Sequence, residues 1–410
     1  MSAYSFSAHG LAMRKVPQGV LDTVNQLMFD AGQVGGNLSF TDFSKIWQDS
    51  AGTTPYTAVE QYVGKIVDKS PNALAFTQAT SAARPVVSAR VNLLTKSEKF
   101  DDTTWAKTTG VTVAADALVS PVGTPTADSI SYSGAGAAGS YRVYNSGVFI
   151  PYAGAGLTTT VYLNSPTPQS VRLYGNAVAG GFVTCNLDST WNKFTTSGVT
   201  NGVGAPQLLI YSTASDNSPF SIGIWGADIR YSSSNNLPYQ RVNTPTDYDT
   251  VGFPAYAKLD GIDDHWISAA GGGGIAGIYF CGAIQFDKVG AVQTIFSDAG
   301  TNSGYKLQLT AANKLEISAG NGTAYTAINT TDTFAVGDVA LCEFWDDGTN
   351  LGVRLGEGTP VTVARPVVAA GTAQITIGKD NNAASSYAGI NMFEPVWRYG
   401  AMPNATQREA

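Results

Sequence analysis

FSIGIWGADIRY, residues 220–231, alternates apolar and small or polar positions through Phe220, Ile222 and Ile224. That period of two is the mark of a strand with one buried face. The same grammar precedes it in ADSISYS (127–133), TTTVYLN (158–164), SVRLYG (170–175), GFVTCNL (181–187) and PQLLIYS (206–212). It resumes in GIYFCGAIQFD (277–287), VQTIFSDAG (292–300), GYKLQLTA (304–311), KLEISAG (314–320) and ALCEFWDDGTNLGVRLG (340–356). QITIGKD (374–380) and INMFEPVWRYGAM (390–402) complete the series. Short runs at this spacing, punctuated by Gly, Ser, Asn and Pro, predict all-β sandwiches or barrels. Ala312-Asn313 and Asp347-Gly348 fall between strand runs and predict hairpin turns.

The first 90 residues read differently. Apolar residues at Val20, Leu21, Val24, Leu27, Met28 and Ala31, between Pro17 and Gly32, predict a helix. A second helix is expected from Val59, Tyr62, Val63, Ile66 and Val67, with Thr57 and Glu60 as a capping box. The expectation is a module of short helices with little sheet and too small a core to stand alone. The polar stretch 231–249, with two prolines, reads as an interdomain linker, and a short helix is expected after Asn404.

Composition narrows the function. The 410 residues hold 24 Lys+Arg against 31 Asp+Glu, a net charge of −7, and only 13% are charged. An acidic chain without a Lys/Arg cluster repels phosphate backbones, which argues against nucleic acid as a partner. No run of 18 apolar residues exists, so membrane insertion is not expected. The first 20 residues lack the apolar stretch of a secretory signal. Cys185, Cys281 and Cys342 are too widely spaced for a metal knuckle and lie in apolar runs, as small hydrophobes. Folding in a reducing cytoplasm fits that cysteine usage.

No catalytic motif stands out. His9 and His265 lie far apart, and His265, in DDHW, reads as a sheet-edge residue. The glycine run 271–277 has no lysine, so it is a loop and no phosphate cradle. The pairs Asp101/Asp102, Asp263/Asp264 and Asp346/Asp347 are sequence neighbours, whereas glycosidases need carboxyls facing one another across a substrate. The expectation is therefore a protein that is not an enzyme. Loop tyrosines remain as binding candidates: Tyr141, Tyr144, Tyr174, Tyr305, Tyr325 and Tyr387, while Trp225, Trp345 and Trp397 sit in apolar runs and read as core.

Three strings carry a resemblance. QDSAGTTPYTAVEQYVGKIVDKS (48–70), TQATSAARPVV (77–87) and ARVNLLTKSEKFDDTTWAK (89–107) together resemble a passage common in tailed-phage and prophage tail or fibre-like proteins. FSIGIWGADIRYSSSNNLPYQRVNTPTDYD (220–249) is similar to the end of a carbohydrate-binding-module-like jelly roll and its exit linker. YAKLDGIDDHWIS (256–268) and the ending from Tyr387 resemble the first and last strands of a concanavalin A-like, laminin-G-type sandwich.

The resemblance implies a mainly β chain with two β-sandwiches in series. Residues 1–90 would be a virion-anchoring segment, 91–235 the jelly roll, 236–252 a linker and 253–410 the lectin-like sandwich. It implies a structural protein of a phage virion, a tail fibre or receptor-binding component that is made in the host cytoplasm and assembles as a homotrimer. Such a protein meets other virion proteins through its N-terminal segment and host-surface glycan through its sandwiches. A capsid decoration or head-fibre protein is the alternative, and a glycan depolymerase the less favoured one.

Within the last sandwich, loops 298–305 and 379–387 are richest in aromatic and amide groups. They predict Tyr305 and Tyr387 stacking on a sugar, with Asn302, Asp380, Asn381 and Asn382 bonding its hydroxyls. No organic cofactor is expected. Calcium is the one ion the resemblance admits, with Asp260, Asp263 and Asp264 as ligand candidates, although acidic turn residues ordinarily cap backbone N–H groups.

Overall fold

The alternating runs become antiparallel strands in the computed structural model. It describes residues 3–7, 12–16, 25–29, 32–134, 141–145, 155–176, 182–200, 207–212, 219–269, 277–372, 374–383, 385–404 and 407–408. The mainly β, sandwich-forming reading holds. Two compact units result: Arg90–Phe253, and a discontinuous one made of Met1–Ala89 and Pro254–Ala410.

In the middle unit one sheet runs Asn192–Val199, Gly156–Asn164, Phe220–Tyr231, Ala127–Tyr132, Val111–Leu118. The other runs Phe182–Leu187, Gln169–Asn176, Gln207–Ser212, Arg142–Asn145, Trp105–Lys107. The alternate apolar residues Ile130, Val161, Leu163, Val171, Leu173, Leu208, Ile210, Ile222 and Ile224 are buried. Phe220–Tyr231 is long enough that one irregularity decides its faces. Thr160 pairs with Asp228 but Tyr162 pairs with Trp225, so this strand carries one extra residue, at Gly226 with φ +65°. The bulge flips the alternation, so that Ala227 and Ile229 are buried as Ile222 and Ile224 are before it.

The discontinuous unit has two larger sheets. One runs Val361–Ala364, Asn350–Leu355, Val339–Asp346, Ile278–Phe286, Gly389–Tyr399, Tyr256–Asp260, Val86–Ser88, with Gly35–Asn37 also on Gly389–Tyr399. The other runs Tyr325–Asn329, Leu315–Asn321, Ser303–Leu309, Gln293–Ser297, Thr376–Ile377, Trp266–Ser268, Ala75–Thr77, Lys65–Val67, Ile46–Trp47. Strands from the first 90 residues thus enter both sheets. Leu38, Phe40, Val63, Ile66, Phe76 and Val87 share one core with Trp266, Phe296 and Trp397. Phe76 meets Trp397 edge-on with centroids 5.6 Å apart, and the Trp266 indole donates to the Val63 carbonyl at 2.9 Å.

Several expectations are corrected here. Residues 35–88 are not part of a separate module with too small a core, because they complete the last sandwich. The helix expected around 57–67 does not form. Its apolar spacing reflects a turn followed by the strand Lys65–Val67, with Val63 and Ile66 fully buried. Gln61, in place of Glu60, caps the turn by accepting from the Thr57 and Ala58 N–H groups. Glu60 sits at φ +66° and accepts from the Ser88 hydroxyl. The stretch read as a linker (236–252) belongs to the middle unit. Leu237, Gln240, Val242 and Tyr248 are buried there, and Val242–Thr244 pairs with Asp247–Tyr248.

Other local readings hold. Residues 25–29 are helical; 17–24 and 30–31 lie outside the described residues. Asn313 (φ +60°) and Gly348 (φ +88°) sit at the two expected turns, and Asn404 and Gln407 cap one another reciprocally. The glycine loop falls outside the described residues at 271–276.

Candidate functional site

Strand alternation in the middle unit leaves one face of the second sheet for solvent. On Gln169–Asn176, Val171 and Leu173 are buried while Arg172 and Tyr174 are half-buried. Arg172 lies opposite Thr184 on one side and Tyr211 on the other, and Tyr211 lies opposite Arg142. Tyr174 lies opposite Phe182 and Leu209, and Leu209 opposite Tyr144. Two adjacent rows therefore cross the sheet, one Thr184–Arg172–Tyr211–Arg142, the other Phe182–Tyr174–Leu209–Tyr144, in which Leu209 is buried. Four strands span roughly 14 Å at ordinary interstrand spacing, a length suited to a short oligosaccharide.

Arginine–aromatic contacts organise the face. The Arg172 guanidinium lies 4.0 Å from the Phe182 ring centroid and 5.8 Å from that of Tyr211. Phe182 and Tyr211 meet edge-on at 6.3 Å, and Arg142 stands 5.7 Å from the Tyr144 ring. Phe182 is 44% exposed. Among the described residues no carboxylate pairs with Arg142 or Arg172, and Arg172 Nε is a buried donor without a hydrogen-bond partner. Flat rings beside polar forks are the groups that hold a sugar: C–H faces stack on the rings while hydroxyls and charged substituents meet the donors.

Of the loop tyrosines, Tyr144 and Tyr174 belong to this face. Tyr141 does not; it is 1% exposed and stacks on Tyr132 at 3.4 Å. Phe182, Tyr211 and Arg172 were missed as site residues. The signal was present in SVRLYG and QLLIYS, where the polar and aromatic phase of the alternation marks the outward row.

The loops 298–305 and 379–387 are neighbours, since Thr372 N donates to the Asp298 carbonyl and the Asn381 amide to Thr372 Oγ1. Their expected sugar contacts are largely committed elsewhere. Tyr305 is 1% exposed, donates to Asp346 Oδ2 at 2.6 Å and accepts from Gly277 N, so its ring cannot stack on a ligand. Asp346 in turn is ion-paired with Arg365. Asp380 is buried against Lys306 at 2.6 Å and caps Asn382 N. Asn302 holds a left-handed turn at φ +53°, and its carbonyl accepts from Gly322 N. Asn382 is exposed, and Tyr387 is half-buried beside the His265 ring at 5.8 Å. Tyr325 is half-buried and its hydroxyl donates to loop carbonyls.

Asp260, Asp263 and Asp264 do converge, with one carboxylate oxygen from each lying within 4.8 Å of the others. Their oxygens are the right donors for a hard cation. Asp260 Oδ1 also accepts from the N–H groups of Ile262, Asp263 and Asp264, the turn-capping role. Burial, reinforced by the charges of Asp260 and Asp263, pushes Asp264 up to about 7. His265 donates from Nδ1 to the Asp263 carbonyl and faces Gln78, and burial lowers its pKa.

The other sheet of the middle unit bears a cavity of about 150 Å³, lined by Thr158, Thr160, Tyr162, Lys193, Thr195 and Ser197 among others. Its hydroxyls bond one another, Thr158 to Ser197 and Thr160 to Thr195. Arg230 is spent on Asp228 and on the carbonyls of Ser234, Leu237 and Pro238. The arginine–aromatic face keeps more of its binding groups free.

No known family profile and no curated protein matches this chain. Some solved structures are similar to parts of this chain at low similarity. One is a botulinum neurotoxin type C described as depending on two ganglioside molecules for its uptake into cells: 14% identity, TM-score 0.31, covering 39% of this chain and 41% of that one. A pentraxin from Limulus polyphemus gives 13% identity and TM-score 0.25, over 32% and 66% of the two chains. Domain 4 of an arabinanase from Geobacillus stearothermophilus, solved with arabinotriose, gives 14% and 0.30, over 42% and 87%. This chain thus spans about two fifths of the neurotoxin chain's length.

Proposed function

We propose that this protein binds glycans without hydrolysing them, and that it does so as a surface component of a phage particle, in a tail fibre or receptor-binding role. The observation that carries the binding reading is the outward sheet face on which exposed Phe182 and Arg142 and half-buried Tyr144, Tyr174, Tyr211 and Arg172 stand together. The phage assignment is supported by the strings at 48–70, 77–87 and 89–107. Because residues 35–88 complete a sandwich, attachment to other virion proteins falls to what precedes them, including the hairpin Ala3–Ser7/Ala12–Val16. A non-enzymatic role fits His265, which faces an amide and a carbonyl.

The test is retention of the purified chain on immobilised bacterial surface polysaccharides. Tyr174→Ala and Tyr211→Ala should each weaken binding about ten- to thirtyfold, in the range of aromatic anchors lost from a binding surface. The polysaccharide should keep its chain length. Undiminished binding by both variants would move the site elsewhere, and shortened chains would restore the depolymerase reading.

A further inference from the structure

We infer that the arginine–aromatic face of the middle unit selects saccharides that carry a carboxylate, as uronic acids do. The inference rests on the reading of this face as a glycan platform and adds the class of sugar it takes.

Three observations carry it. First, the chain has a net charge of −7, yet the strand positions that make up this face present two arginines and no acid. A neutral sugar needs neither cation, and arginines placed only for solubility do not require aromatic walls. Second, Arg172 is held rather than free. Its guanidinium lies against the Phe182 ring at 4.0 Å and 5.8 Å from that of Tyr211, contacts that restrict the fork without using up its N–H groups. A planar fork held in place matches a carboxylate by two parallel hydrogen bonds, an arrangement a lysine cannot reproduce. Third, Arg172 Nε is buried and lacks an acceptor. Leaving such a donor unsatisfied is costly, and a shift of the side chain that brings it to a ligand oxygen would recover that loss.

The register adds a spacing. Arg172, Tyr211 and Arg142 stand directly across from one another on three neighbouring strands. The two arginine positions are therefore roughly 10 Å apart, twice the interstrand distance, with a tyrosine between them. That pattern suits an acidic residue at each end and a stacked sugar in the middle, as in a polymer with a charged residue in alternate positions.

The experiment uses the full chain and a panel of uronate-bearing polysaccharides, each paired with its carboxyl-reduced neutral form, read by biolayer interferometry. At least one acidic member should bind, and reduction of its carboxyls should weaken binding about tenfold or more. Arg172→Gln should weaken the acidic form to a similar degree and the reduced form by a clearly smaller factor, since it takes away the fork as well as a neighbour of the Phe182 and Tyr211 rings. Arg172→Lys, which keeps the charge and loses the fork, should recover only part of the affinity. Circular dichroism of each variant guards against misfolding. If acidic and reduced forms bind alike while Tyr174→Ala and Tyr211→Ala abolish both, the platform stands and carboxylate selection is wrong. If the tyrosine variants change nothing, the platform reading itself fails. Binding to no acidic member also overturns the inference.

Discussion

Phe76→Ala tests whether the N-terminal strands belong to the last sandwich. Phe76 is fully buried in Ala75–Thr77, pairs with Ser268 across the sheet and meets the Trp397 ring edge-on at 5.6 Å. Removing a fully buried phenylalanine ring costs about 3–5 kcal/mol through lost transfer energy and the cavity left behind. The edge-on ring pair accounts for about 0.5–1.5 kcal/mol of such a contact. The effect must appear far away in sequence, in Gly389–Tyr399, the strand that carries Trp397. Native-state hydrogen exchange read by mass spectrometry on peptides spanning 389–399 gives the free energy of opening there. A loss of 3–5 kcal/mol lowers amide protection by about two to three and a half powers of ten. Peptides spanning 220–231, in the middle unit, should exchange as in the wild type and serve as the internal control. A fall of less than about 1 kcal/mol in the 389–399 peptides would refute the shared core and restore an independent N-terminal segment.

A chain beginning at Arg90 should lose cooperative unfolding of residues 254–410, checked by calorimetry, because it lacks the strands Val86–Ser88, Ala75–Thr77 and Lys65–Val67. Tyr305→Phe should cost about 1–3 kcal/mol by denaturant titration, since it removes the bond to buried Asp346, while glycan retention stays at the wild-type level. Asp264 is raised to about 7, and Asp287 and Asp298 are raised to about 6, all chiefly by burial. A carboxyl raised in the fold contributes stability at low pH that is lost as pH climbs through its folded value. The discontinuous unit should therefore melt higher at pH 5 than at pH 8, and Asp264→Asn, which keeps an oxygen acceptor for Asp260 N, should flatten that difference.

Much of the fold was legible because a strand with one wet face writes its period directly into the sequence, as SVRLYG and GFVTCNL do. The N-terminal region was misread because its strands are only two or three residues long, too short to show a period. Val59, Tyr62, Val63, Ile66 and Val67 mimic a helical stripe, yet Val63 and Ile66 are buried by partners some 200 residues downstream, as the Trp266–Val63 bond shows. Tyr305 sits beside a Gly-Asn-rich loop and looks exposed in sequence. Its ring lies in the core of the sandwich and its hydroxyl is held by the Asp346–Arg365 pair, neither of which a local pattern announces. The arginine–aromatic face needed register as well as alternation, since Arg172 finds Phe182 and Tyr211 on two other strands.

The most direct measurement is a crystal structure of the full chain with an acidic oligosaccharide from the polymer it retains. The account predicts sugar rings against Tyr174 and Tyr211, with a carboxylate on the Arg172 fork. Sugar seated instead in loops 298–305 and 379–387, or on Asp260, Asp263 and Asp264, would contradict it.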